Sequence, residues 1–412
     1  MQTHAQGFEY PSIAEVECPF PTLERIRAAG SVHQVGPDRY LVSHYADVEH
    51  VLRREDLFTG GSDERLQPFD WPGPQPVPEH SLTPGGMVKN VIELDPPHHK
   101  GRRDRMFQLL KPARVKSYRP WIEATVDGLI DGFIDRGRFE LMQEFGYPLP
   151  TRMVIRVLGL SDDDFPWMHA WGLAEWEGGK QYITEDMVNE QAPFVEQAGP
   201  RVTAEILKRV EQPTGDGLSE AIALQIADDG AFNLGIVRAD LGQFVGAGIT
   251  TTGHLIGNAM LTLVQHPEVM EQVRSDTSKL RLFLEESLRT DSPLQWIPRV
   301  ARVDTEIDGV HIPKGSYLIV MIQSANRDAA KWGEDAEAFC PHRAKAIDHL
   351  AFGKGPHFCI GAPLGRLEAQ IAFERLFARL KDIRLAEGAE PAHIVSPTFR
   401  GLTKLELEFD RA

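Results

Sequence analysis

The sequence predicts a mainly α-helical protein with a small β lobe. Three features of the 412-residue chain point there: a run of 24 residues without a formal charge at 241–264, two further stretches with apolar residues every three or four positions, and short alternating segments near 30–60, 300–325 and 395–412. With 42% hydrophobic and 25% charged side chains, the composition is that of a folded globular chain and excludes disorder or a disulfide scaffold. No internal repeat or Gly/Ser linker interrupts it, and a sheet drawn from both ends would make residues 1–412 one domain.

The first strands are 32–35 and 39–42, on either side of Gly36-Pro37-Asp38. Five prolines between Pro68 and Pro78, with Phe69 and Trp71 among them, predict a long irregular loop over a pocket in preference to an interdomain linker. The uncharged run 241–264 holds five glycines and seven polar side chains, too many for a membrane span, so it reads as a long buried helix. Each interior glycine costs such a helix about 1 kcal/mol against alanine, and the β-branched Thr250, Thr251 and Thr252 cost more, so tertiary packing must hold it. Small residues at this density admit a bulky neighbour, either another helix or a flat ligand.

A second helix is expected at 277–289, with Leu280, Phe283, Leu284 and Leu288 as its apolar stripe and Glu286 and Arg289 off it. Segments 305–307 and 310–312 flank Asp308-Gly309, a short-hairpin signal. A third helix follows Cys359: Pro363 suits its first turn, and Leu364, Leu367, Ile371, Ala372, Leu376 and Leu380 continue a core-facing pattern. Leu405, Leu407 and Phe409 alternate as a last strand.

A net charge of −16 repels nucleic-acid phosphates and anionic lipid, so neither nucleic acid nor membrane is an expected partner. Three cysteines, Cys18, Cys340 and Cys359, fit a reducing compartment. The first twenty residues contain no Lys or Arg and no long apolar run, which predicts no signal peptide and a cytoplasmic protein.

Chemistry concentrates in 352–361, Phe-Gly-Lys-Gly-Pro-His-Phe-Cys-Ile-Gly, a glycine-rich loop that delivers one cysteine to the start of a helix. Backbone N–H groups and the helix terminus favour Cys359 as thiolate, a soft anion suited to a metal or an electrophile. The pattern Phe352, Gly355, His357, Cys359, Gly361 resembles the haem-binding loop of the cytochrome P-450 haem-thiolate monooxygenases, in particular their soluble bacterial class. The resemblance covers nearly the whole chain through five motifs in order. It implies the cytochrome P-450 fold, with haem b (iron protoporphyrin IX) sandwiched between the Gly/Thr-rich helix and the Cys-loop helix. By the same resemblance Cys359 is the axial iron ligand, Phe352 packs over its sulfur, Gly361 belongs to the haem loop and His357 approaches a propionate. An axial thiolate favours O–O cleavage.

Glu286 and Arg289 resemble the family's Glu-x-x-Arg pair, and Arg343, in 339–343, its third member, with a structural role in locking the haem loop. His99 and Arg103, in 95–103, and Arg299 resemble its propionate contacts. Ala247, Gly248, Thr250 and Thr251 match its oxygen-activation turn, with Thr251 as catalytic alcohol. Two positions depart from the pattern: Thr250 stands where the family usually has Asp or Glu, and Gly365 where it often has Ala. A hydroxyl hydrogen-bonds but holds no spare proton at neutral pH, so protons must come by water, by the substrate or from an acid elsewhere.

The resemblance implies a monooxygenase that inserts one atom of dioxygen into a C–H bond of a small lipophilic substrate, by hydroxylation or oxidative demethylation. Electrons are expected from a ferredoxin or flavodoxin with its NAD(P)H reductase, since no flavin or iron–sulfur motif is visible. Lys100, Arg102, Arg103, Arg105, Lys111, Arg114 and Lys116 stand against only Asp104, which suggests either a docking patch for an acidic ferredoxin or a solvated helix. For the pocket the resemblance points to Phe69, Trp71, the region 167–194 with Trp167, Trp171 and Trp176, then Phe244, Leu294, Trp296, Ile297 and Phe399. Competing readings are a structural zinc held by Cys340, His342, His357 and Cys359, a peroxide-using haem-thiolate enzyme, and a non-catalytic haem sensor.

Overall fold

The computed structural model describes residues 18–60, 88–174, 185–396 and 398–412; Phe69, Trp71 and Trp176 lie outside them. The chain forms two compact units, one of residues 1–63, 257–359 and 391–402, the other of 64–256, 360–390 and 403–412.

The first unit is built on a five-stranded sheet in the order Val32–Gly36, Arg39–Val42, Tyr317–Val320, Ile297–Ala301, Phe58–Thr59. Arg39–Val42 runs parallel to Tyr317–Val320, and the other neighbours are antiparallel. Alternation gives the sheet one apolar face, where Val42, Phe58, Leu318 and Val320 pack with Val48, Ile312 and Leu350. Strands Thr305–Ile307 and Val310–Ile312 pair through Asp308 (φ 48°) and Gly309 (φ 74°), the two left-handed residues such a tight hairpin requires. The expected helix at 277–289 is a 3₁₀ turn, Thr277–Lys279, running into the α-helix Leu280–Thr290. Glu286 and Arg289, placed off the apolar stripe by periodicity, are both fully buried, because neighbouring backbone satisfies them.

The second unit is mostly helical. Its long helix, Leu234–Gln265, extends seven residues before the uncharged run begins, and residues 234–256 belong to this unit. Among the described residues no helix is long and apolar enough to cross a membrane. At the two glycines that matter most the bulky neighbour is protein: a Cβ on Gly253 would meet the Tyr147 ring at 2.6 Å, and one on Gly248 would meet Val154 at 3.0 Å. Tyr147 reaches that position from a π-helix, Met142–Gly146, which leads into the helix Pro148–Leu158.

The sequence places 395–412 with the early strands, but the last strand joins a different sheet. Glu406–Arg411 lies between Arg138–Glu140 and Leu380–Leu385, all antiparallel. Side-chain packing decides this pairing: Phe133, Phe139 and Phe409 form one aromatic cluster, with Phe133 and Phe139 stacked at 4.1 Å. Half-buried Glu140 anchors the join by accepting from the backbone N–H of Leu405 at 2.6 Å and of Gln143 at 2.6 Å.

Candidate active site

In the first unit the cysteine loop is a rigid frame. Gly353 (φ 70°) and Gly355 (φ 69°) take left-handed conformations. A Cβ on Gly355 would strike the Leu52 carbonyl at 2.7 Å and Arg53 Cα at 2.9 Å, so only glycine lets the loop lie against that helix. The Cys359 N–H donates to the Phe352 carbonyl at 2.9 Å, and Phe358 N–H to the Gly355 carbonyl at 3.0 Å. Phe352 and Phe358 face each other at 6.5 Å. Cys359 is exposed, unlike a cysteine that serves as core filling. Leu350 N–H donates to Asn326 Oδ1 at 2.7 Å, and buried His349 meets buried Glu285 at 3.1 Å, tying the loop's stem to its unit.

Glu286, Arg289 and Arg343 come together here. Arg289 donates to Glu286 at 2.7 and 2.8 Å, and Arg343 Nε to Glu286 Oε1 at 3.1 Å. Cys340 N–H adds a further donor to Glu286 at 2.9 Å, while Arg289 also holds the carbonyls of Asn326, Ala336 and Ala338. Every charge in this buried set is therefore paired, which is the condition for tolerating it. The zinc reading fails: among the described residues Cys340, His342, His357 and Cys359 do not converge, and His342 instead bonds Gln272 at 2.9 Å. Arg299 is buried on its strand and donates to the Pro298 carbonyl at 2.7 Å; His357 is half-buried in the loop. Of the expected pocket residues, Leu294 pairs with Phe399 in an isolated β-bridge, and Trp296 precedes Ile297, the first residue of the strand Ile297–Ala301; both are half-buried. Phe399 itself is buried.

In the second unit the long helix presents one accessible stripe. Phe244, Ala247, Gly248 and Thr251 are half-buried at helical spacing, while Val245, Ile249, Thr250, Thr252, Leu255 and Ile256 are buried. Thr250 and Thr251 turn their hydroxyls back onto the helix, donating to the Gly246 carbonyl at 2.9 Å and the Ala247 carbonyl at 2.6 Å. Such back-bonding loosens a helix at that turn. Gly361 caps the helix Ala362–Arg379. Trp167 is buried and donates to Asp164 at 2.9 Å, and half-buried Trp171 stacks on it at 6.3 Å.

His99 and Arg103 lie on the helix His98–Gln108, His99 buried and Arg103 half-buried. The cationic cluster around them is not the bare surface its spacing suggests. Arg102 is buried and bonds both oxygens of Asp240 at 2.9 Å, and buried Arg105 reaches Asp229 at 3.0 Å. Lys100 pairs with Asp104 and Arg114 with Glu220. Lys111 and Lys116 are the cluster's exposed lysines without an acidic partner among the described residues.

Two polar features on buried faces were not anticipated. His254 meets the Tyr147 hydroxyl at 3.2 Å, and burial pushes its imidazole down to about 3. Glu368 on the Cys-loop helix is buried, and burial alone pushes its carboxyl up to about 8. Its sequence signal was a charge inside the Leu364–Ala372 core-facing pattern, four residues from each end.

The donor chemistry fits haem. One unit holds an accessible soft thiol in a fixed loop with Arg299 and His357, and the other an accessible stripe of small residues with His99 and Arg103. Cationic and imidazole donors are what a macrocycle's two carboxylates need, and a thiolate is what its iron accepts.

Comparison with known proteins agrees. Residues 176–391 match the family model for cytochrome P-450. The chain is 30% identical to the cytochrome P-450 monooxygenase PikC of Streptomyces venezuelae over 95% of its length and 91% of the relative's. It is 32% identical to cytochrome P-450 107B1 of Saccharopolyspora erythraea, over 93% and 91%. The structure of CYP109Q5 from Chondromyces apiculatus superposes with a TM-score of 0.82 at 28% identity, covering 97% of both chains. The fold and site thus define a haem-thiolate oxidoreductase. This chain belongs to the cytochrome P-450 family, whose monooxygenases use haem b and dioxygen on small organic substrates.

Proposed function

We propose that the chain works as one cytoplasmic catalytic domain that inserts one oxygen atom into a C–H bond of a small lipophilic molecule, by hydroxylation or oxidative demethylation. Cys359 would hold the iron, His99, Arg103, Arg299 and His357 the propionates, and Phe352 the space beside the sulfur. Bound haem supplies the reductive activation of dioxygen. The chain's part is to fix the thiol, keep water out and deliver protons. Phe244 in the second unit, and Leu294, Trp296 and Ile297 in the first, would each offer apolar surface of the kind a lipophilic substrate needs. The observation that carries this reading is the accessible Cys359 thiol, held by its own N–H to Phe352 in a loop that glycine alone permits.

The parent should give the red-shifted ferrous–carbonyl absorption of sulfur-ligated haem, and Cys359→Ala should lose both that absorption and turnover. A screen of lipophilic compounds for displacement of iron-bound water would identify substrates. Product formed with NAD(P)H and a ferredoxin or flavodoxin system, and not with peroxide alone, separates this reading from a peroxide-using enzyme; no product under either condition points to a sensor.

Electrons are proposed to come from an acidic ferredoxin that docks over Lys111 and Lys116, since Lys100, Arg102, Arg105 and Arg114 already have acidic partners. Reversing both to Glu should slow reduction and flatten its salt dependence. Unchanged stopped-flow kinetics would reject that docking face.

A further inference from the structure

We propose that His349, held by Glu285, is a positioning residue for the thiolate site: its imidazole seats Phe352, and through Phe352 it sets how strongly the Cys359 sulfur donates to iron. The inference rests on Cys359 being the iron ligand, as proposed above.

The helix Leu280–Thr290 carries two successive buried glutamates, and neighbouring positions on a helix point about 100° apart. Glu286 turns to Arg289 and Arg343. Glu285 turns instead to the stem of the cysteine loop, where its Oε2 lies 3.1 Å from His349 Nε2. Both side chains are buried, so water does not weaken the contact. The neighbouring Asp348 does not compete for the imidazole, because Lys331 holds it at 3.2 Å.

The other ring nitrogen decides where the proton sits. Ala351 N–H donates to His349 Nδ1 at 3.1 Å, and a ring nitrogen that accepts carries no hydrogen. The proton is therefore on Nε2, donated to the Glu285 carboxylate, and the imidazole is neutral. The other tautomer, or a second proton, would set N–H against N–H at Ala351. Glu285 thus fixes both the tautomer and the plane of the ring.

From that fixed ring two contacts run toward the sulfur's surroundings. The imidazole lies 5.7 Å from the Phe352 ring, tilted by 41°, and it ties down Ala351, the residue before Phe352. The Phe352 carbonyl in turn receives the Cys359 N–H at 2.9 Å. The stem is pinned on either side, Leu350 N–H by Asn326 Oδ1 at 2.7 Å and Gly353 N–H by the Leu350 carbonyl at 2.7 Å. His349 therefore holds Phe352 by side chain and by backbone, and Phe352 holds the Cys359 main chain. A sulfur's donation to its metal falls as hydrogen-bond donors and water gain access to it. With Phe352 loosened, the accessible Cys359 would gain more of both.

The test uses full-length, haem-loaded protein. In the diamagnetic ferrous–carbonyl form with isotopically labelled histidine, the nitrogen resonances missing from His349→Gln belong to His349. They should show a neutral ring protonated at Nε2, and protonation at Nδ1 would overturn the proposal. Resonance Raman spectra read the iron–sulfur stretch, and a redox titration reads the reduction potential. Glu285→Gln and His349→Phe should each lower the stretching frequency and raise the potential, the equilibrium constant for reduction rising several-fold. His349→Asn, whose amide oxygen can still accept from Ala351 N–H, should fall between parent and Phe. A merely structural pair would lose stability in these variants and leave both values in place, so an unchanged stretch and potential in Glu285→Gln and His349→Phe overturns the inference. Glu285→Gln keeps the size of the side chain and judges the proposal by itself where His349→Phe does not fold. A parent without the red-shifted ferrous–carbonyl absorption would instead strike the reading of Cys359 as ligand.

Discussion

Two glutamates, Glu286 in the first unit and Glu368 in the second, are equally hidden from water, at 0% and 2% exposure, and behave oppositely. Around Glu286 the fold has gathered two guanidinium groups and a backbone N–H, so its carboxylate is an anchor. Around Glu368 no charged or hydrogen-bonding partner stands among the described residues, so burial alone pushes its carboxyl up to about 8. Burial alone does not decide what an acidic side chain does; its partners do.

Breaking the anchor should have the largest effect. Arg289→Ala strands Glu286 without its bidentate partner and frees three carbonyls, which should lower stability by about 3–5 kcal/mol and weaken haem retention. Denaturant unfolding of haem-loaded protein measures it, and a loss below about 1 kcal/mol would mean that the set contributes little beyond packing.

Next comes the bare acid. Its folded value, near 8, lies above the unfolded value of 4.5, so its stabilising contribution is complete below pH 4.5 and is lost as pH rises through 8. The parent's melting temperature should therefore fall across that window, whereas Glu368→Gln should fall less and be the more stable protein above pH 8, by on the order of a few kcal/mol. Parallel curves would show that Glu368 is charged in the folded state.

A smaller effect is expected from Arg343→Ala. Arg343 meets Glu286 with one nitrogen and spends others on exposed Asp335, so removal should cost about 1–3 kcal/mol, less than Arg289→Ala. The reverse order would mean that Arg343, rather than Arg289, carries the anchor.

On the acid side the imidazoles reverse the sign. His254 and His169 have folded values, about 3 and about 4, below the unfolded 6.5, so the stability they contribute is present above pH 6.5 and lost as pH falls toward 4 and 3. His254→Gln should flatten that limb of a melting-temperature profile.

Much of the site was legible because its signals are local. The turn at Asp308-Gly309, Pro363 at a helix start, the glycines around Cys359 and the Glu286–Arg289 spacing each follow from backbone geometry over a few residues. Less legible were the features that depend on distant partners. The run of cations from Lys100 to Lys116 reads as a surface patch until Asp240, 138 positions after Arg102, and Glu220, 106 after Arg114, turn out to oppose it. The last strand reads as part of the early sheet until Phe133 and Phe139 claim Phe409.

The sequence by itself determined three of the helices, the hairpin and the cysteine loop with its soft ligand, because propensity, turn residues and ligand type act within a few positions of the chain. Only the tertiary structure decided which cations are neutralised and which glutamate stays protonated. Those outcomes depend on which remote side chains and carbonyls displace water around a group, and desolvation belongs to the surroundings rather than to the residue.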